Sequence, residues 1–185
     1  MASNKIKYGI RNVYYAQRTE SGGSYTYGSP IALPGAVSLS LAPEGDSNSF
    51  YADDVEYYRT DANNGYSGDL EIANIPDSFR VYALGEVMDN NDVLIEDADA
   101  AGKEFALGFE IQGSDHNTLF WFYNCVVSRP DTNASTKESS IDPQTDTLSI
   151  SCRPDENYVV RAKTTDETAA ATKTGWFGTV YEPDL

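Results

Sequence analysis

A mainly β fold, an antiparallel sandwich or barrel with one flanking α-helix, is what this sequence predicts. Three observations carry the expectation. Apolar and β-branched residues alternate with polar ones at period two in segment after segment, whereas helical spacing is rare. Clusters of Gly, Asn, Asp, Ser and Pro punctuate those segments. Hydrophobic residues are 40% and aromatic residues 12% of the chain, enough apolar surface to offset the entropy of ordering it. A length of 185 residues suits a single domain over 1–185.

Ile10 to Gln17 has strand composition, and Gly22-Gly23 turns the chain into Ser24–Gly28, which predicts a first hairpin. Val37, Leu39 and Leu41 alternate with Ser38 and Ser40, one face oily and one wet. Gly68–Ile72, Phe105–Ile111 and Thr147–Cys152 alternate in the same way, and Tyr158–Ala162 completes a set of roughly eight strands. Leu119 to Val127 carries large side chains on both faces. One core face cannot hold them all, so that strand is covered twice, and an interface between subunits is the favoured cover.

Pro76 and Asp77 suit a helix start, Phe79 and Ala83 share a face, and Gly85 is a natural stop. A second short helix is expected over Thr174–Val180, weakened by Gly175 and Gly178. Two segments look irregular, Pro43 to Asp54 and Arg129 to Gln144.

The net charge is −16, so the chain repels phosphate backbones and sequence-specific nucleic-acid binding is excluded. Sixteen acids lie between Glu44 and Glu104 against Arg59, Arg80 and Lys103, which concentrates the negative charge in one third of the chain. No apolar run suffices for a membrane helix or for a signal-peptide core at the start, which predicts synthesis in the cytosol and no membrane partner.

Cys125 and Cys152 sit inside alternating apolar runs and read as buried free thiols. His116, the one histidine, lies in an expected hairpin tip without burial or an orienting partner, and a Cys125/His116 dyad lacks any device that lowers a thiol pKa. Asp97–Gly102 begins like a calcium loop, but Ala101 and Gly108 occupy ligand positions. That leaves scattered weak calcium binding by Asp89, Asp92, Asp97 and Asp99 as the residual metal reading. Thirteen tyrosines with Trp121 and Trp176 suit a sugar-stacking platform, and the abundant acids leave a carboxylate-based glycosidase as a third alternative.

Taken in order, several segments resemble the major tail tube proteins of long-tailed, non-contractile phages. They are Lys5–Gly9 with Asn12–Ala16, Pro34–Leu41 followed by Pro43-Glu44-Gly45, Phe50–Asp53, Asn63–Glu71 and Ile75-Pro76-Asp77. Later come Tyr123-Asn124-Cys125, Ser135–Glu138, Pro143-Gln144-Thr145, Trp176-Phe177 and Val180–Pro183. The resemblance rests on their number, order and spacing, and it spans nearly the whole chain.

This resemblance implies a structural virion protein with no catalytic residues and no cofactor, six copies to a ring, and rings stacked into a tube. It implies assembly in the bacterial cytoplasm along a tape measure protein, between tail terminator and distal tail proteins, with DNA passing through unbound. The bridging segments map onto 1–7, 43–54 and 176–185, with Phe50, Tyr51, Asp53, Asp54, Trp176, Phe177 and Tyr181 as interface candidates. Asp61, Asp69 and Glu71 are the candidates for an acidic lumen, because carboxylates leave the counterions of DNA in place. A highly charged monomer resists association, so apolar burial must drive it. Phe50 and Tyr51 together supply ~7 to 12 kcal/mol before ordering costs.

Overall fold

The computed structural model describes residues 6–136 and 143–184. The elements, in chain order, are β1 (Lys7–Ser21), β2 (Ser24–Tyr27), β3 (Ile31–Ala32), β4 (Ala36–Glu44), β5 (Ser47–Ala52), β6 (Val55–Asp61) and β7 (Gly65–Ile72). There follow α1 (Asp77–Phe79), a wider π-type turn over Arg80–Leu84, β8 (Val87–Met88), β9 (Leu94–Ile95), β10 (Phe105–Gly113) and β11 (Thr118–Val127). The chain ends with β12 (Asp146–Arg153), β13 (Arg161–Lys163) and α2 (Ala170–Gly175). The fold is mainly β and antiparallel, with one helical segment against the sheet.

The large sheet runs β2-β1-β10-β11-β12-β7-β4, with β3 beside β1 and β13 beside the first half of β11. Period-two alternation puts Val13, Tyr15, Phe105, Leu107, Phe109, Phe120, Phe122, Leu70, Ile72, Leu148 and Ile150 on one side, where the curling sheet encloses a first core. The helical segment closes that core. Phe79 is fully buried, its ring edge-on to Tyr15 at 5.0 Å and to Phe105 at 5.3 Å. Gly85 ends the segment with φ 78°, a left-handed stop that glycine takes without steric cost.

The double-sided strand β11 is covered twice, but not by a neighbouring subunit. Leu119, Trp121 and Tyr123 face a second core made with Ala16, Ala106, Trp176 and Val180, so the chain's own C-terminal segment is the second cover. Small residues on β10 make room for it. A Cβ on Gly108 would lie 2.7 Å from the Trp121 ring, which is opposite it in register.

Other expectations need correction. Pro43 to Asp54 is not an irregular loop: it comprises the end of β4, all of β5 and the turn into β6, paired residue against residue. Tyr158-Val159-Val160 is a turn, not a strand, because the Asp155 carboxylate accepts the Asn157 and Val159 amides at 2.9 and 2.7 Å. The last helix lies at Ala170–Gly175, ahead of the expected span. Ala170-Ala171 favours helix, while Gly175 and Gly178 leave the chain free to turn after Trp176. Residues 129–136 and 143–145 carry no regular structure, and the rest of that expected loop, 137–142, lies outside the described residues.

Candidate assembly surfaces

β4 with β5 and β6 with β7 form one long hairpin, continued between the two pairs by Ala62 N–H to Asp46 O at 3.0 Å and Asn64 N–H to Glu44 O at 2.8 Å. Its inner half, β4 and β7, belongs to the core. Its outer half, β5 and β6, contributes no residue to either core. Phe50 is 62% exposed and Tyr51 64%, and Val55, Tyr57 and Tyr58 on the return strand are exposed as well. Asp53 and Asp54 make the two-residue tip, both with positive φ (52° and 61°), the geometry that matches the twist of a tight hairpin. Val55, Tyr57 and Tyr58 escaped the sequence reading, although their strand propensity beside Phe50 and Tyr51 was the available signal.

The outward side of β4, β7 and β12 is a field of hydroxyls and carboxylates. Ser38 stands opposite Glu71 and Ser40 opposite Asp69, and on the other flank Thr147 and Ser149 face the same two acids. Ser38 and Thr145 donate to Glu71 at 2.9 and 2.7 Å, and Ser149 donates to Asp69 at 2.7 Å. The Thr145 bond first, and the Ser38 bond second, hold the Glu71 carboxyl below the usual range. Within β4, β7 and β12 the one basic residue is Arg153, at the end of β12. Asp61 stands apart from the other two lumen candidates: it lies on the protruding hairpin, bonded to Ser47 and to Arg59 at 2.6 and 3.0 Å. Among the described residues β4 forms the edge of the sheet, pairing with β7 alone in the strand order.

The C-terminal candidates divide. Trp176 is 3% exposed, and its carbonyl accepts the Trp121 indole N–H at 2.9 Å, so it is a component of the chain's own core and not a free arm. Phe177 is half-buried, stacked on Tyr14 at 4.8 Å. Tyr181 stacks on Trp176 at 5.0 Å, and its carbonyl accepts the Tyr123 hydroxyl at 2.8 Å. The expected arm over 176–185 is thus packed down as far as Tyr181. Burial of Trp121 and Trp176 also removes both from any sugar-stacking platform.

At the opposite end of the sheet from Lys7, a cleft of about 560 Å³ is lined by Tyr25, Tyr27, Tyr123 and Tyr158 with Asp155, Glu156 and Glu182. Beside it, the Arg18 guanidinium lies 3.6 Å over the Tyr25 ring, bonded to Glu104 and, at 2.5 Å, to Glu156. Burial, offset in part by Arg18, pushes the Tyr27 hydroxyl up to about 12. No local pattern announces this gathering, because its residues come from four distant segments.

The remaining candidates are structural. Cys125 and Cys152 are opposite each other on β11 and β12, both buried free thiols as expected, with sulfurs 2.8 Å apart. Burial, then the neighbouring thiol, push the Cys125 pKa well up. His116 does have a partner, its Nε2 lying 2.5 Å from Asp166 Oδ1. It is nine residues from Cys125 along an extended strand, about 30 Å, so the two form no dyad. The Asp89 carboxylate caps the amides of Asn91 and Val93, both at 2.8 Å, and Asp97 caps that of Asp99, also at 2.8 Å. Asp92 is the turn residue between them, with φ 60°. Among the described residues no group of three or more His, Cys, Asp or Glu side chains is placed to hold a metal ion, and no helix is long and apolar enough to cross a membrane.

In comparison with known proteins, the chain matches no family model and no curated protein.

Proposed function

We propose that this chain is the subunit of a phage tail tube, a structural virion protein whose copies join into hexameric rings that stack around a channel for DNA. The observation that carries the reading is the outer hairpin. Five large apolar side chains, Phe50, Tyr51, Val55, Tyr57 and Tyr58, stand out from the body on paired strands that take no part in its own core. A projecting apolar hairpin on a strongly acidic chain is suited to burial against a sister copy.

Two further features support the reading. The open edge of β4 offers unpaired backbone groups to a neighbour's strand, and joining sheets edge to edge around a ring closes them into a barrel. The hydroxyl and carboxylate side of β4, β7 and β12 would then face the bore, where Asp69 and Glu71 leave the counterions of DNA undisturbed. In this reading the tape measure, terminator and distal tail proteins are the partners, and the protein resides in the virion tail.

Negative-stain imaging of the concentrated protein tests it. Rings or filaments with a central bore are expected, and a protein that stays monomeric at every concentration would overturn it. A second test reverses the bore charge. Asp69→Lys with Glu71→Lys, on an exposed side of the sheet, is expected to leave the fold and the tubes intact. DNA delivery in a complementation assay should fall by roughly tenfold or more, since each added cation contributes phosphate affinity. Normal delivery through such tubes would remove the acidic bore from the account.

A further inference from the structure

The first 19 residues contain Lys5, Lys7, Arg11 and Arg18 and no acid, in a chain whose net charge is −16. Two of these cations are committed inside the fold: Arg11 pairs with Glu110 at 2.7 Å, and Arg18 is buried against Glu104 and Glu156. Lys7 is exposed and makes no ion pair among the described residues. It stands between Ile6, 65% exposed, and Tyr8, 57% exposed, so the start of β1 is a cationic, apolar ridge.

The tyrosine cleft has the opposite character. Asp155, Glu156 and Glu182 border a wall of tyrosine rings. Arg18 engages Glu156 and the Tyr25 face, and the Asp155 carboxylate holds the Asn157 and Val159 amides, whereas Glu182 makes no ion pair among the described residues. Carboxylates around aromatic faces attract an ammonium by charge and by the ring quadrupole together. Tyr158 projects from the rim 90% exposed.

Ridge and cleft cannot meet within one molecule. Tyr25 and Tyr27 pair with Glu20 and Arg18, near the end of β1, whereas Lys7 begins that strand. Ten residues of extended chain separate Tyr8 from Arg18, about 30 Å. Complementary patches at opposite ends of a subunit make a heterologous contact, and repetition of that contact builds an open stack.

We propose that the cleft lined by Tyr25, Tyr27, Tyr158 and Glu182 receives the Ile6-Lys7-Tyr8 ridge of a second copy and so joins one ring to the next. This rests on the tube reading for its setting, but the contact itself is tested separately. Lys7 places its ammonium beside Glu182, and Ile6 and Tyr8 cover the tyrosine rim.

The test is a charge swap in the full-length protein. Lys7→Glu and Glu182→Lys should each raise the concentration needed for filaments by about tenfold. Both changes in one chain should bring it back to within about twofold of the original, because every copy then carries both swapped partners. A parallel measurement mixes 14N- and 15N-labelled protein with a carbodiimide and reads Lys7–Glu182 cross-links by mass spectrometry. Mixed-isotope cross-links in a protein that forms no tubes would support the contact and overturn the tube reading. Tubes without that cross-link, and with no rescue in the double variant, would overturn the contact and leave the tube reading standing.

Discussion

Phe50→Ala combined with Tyr51→Ala is expected to leave the monomer folded, with Tm within about 1–2 °C of the parent, and to abolish tubes. The physical reason is that these side chains contribute so little to their own fold. Both are about two-thirds exposed, and neither core includes them, so truncation opens no cavity. In the assembly the same atoms leave water. With roughly 60% of each side chain still exposed, burial contributes about 6 kcal/mol per copy, somewhat less than the full-burial figure for two aromatics. That term opposes the mutual repulsion of copies at −16 each and the cost of fixing the hairpin. Removing it should leave repulsion dominant. Electron micrographs of the double variant beside a thermal melt decide the matter: normal tubes would take the hairpin out of assembly.

Trp176→Ala should behave in the reverse way. Trp176 is 3% exposed, it packs with Trp121, Tyr123 and Val180, and Tyr181 stacks on it at 5.0 Å. Deleting a buried tryptophan costs about 3–5 kcal/mol, a large share of the stability of a domain this size. The expected result is a Tm lowered by about 10 °C or more, with loss of the near-ultraviolet signal of Trp121 as the segment lifts from the sheet. Trp176→Phe should cost less. It keeps an aromatic in place, and the bond from the Trp121 indole goes to the main-chain oxygen of residue 176, which the substitution leaves intact. Should Trp176→Ala instead melt like the parent and fail to assemble, Trp176 would be an interface residue, as the resemblance to tail tube proteins implied.

Paired with the hairpin variant, this prediction separates two roles that look alike in one dimension. Phe50-Tyr51 and Trp176-Phe177 are both aromatic pairs in segments that read as arms. The fold sends one pair outward on a free hairpin and folds the other back to cover β11.

The strands that the sequence made legible are those with one wet and one oily face. Leu39 and Leu41, Gly68 to Ile72 and Thr147 to Cys152 alternate because the core takes every second residue, and they appear in β4, β7 and β12. Val37, expected on the same oily face, instead falls at the register shift between Ala36 and Ser38 and is 52% exposed. β5 and β6 left no such trace. Neither of their faces is buried in the chain itself, so no alternation was imposed on them. The crowding of Phe120-Trp121-Phe122-Tyr123 announced two covered faces correctly, but it carried no information on what provides the second cover.

By itself, then, the sequence determined a mainly β chain with a capped helical segment before Gly85, two buried thiols and a surplus of acid, because these depend on local pattern and composition. Tertiary structure decided which aromatics are spent inside and which are left outside, that Asp69 and Glu71 share a polar face while Asp61 stands elsewhere, and that four tyrosines from three distant segments line one cleft. Those outcomes follow from register and from long-range closure. A side chain's surroundings are set by strands that pair across a hundred residues, and no local window contains that information.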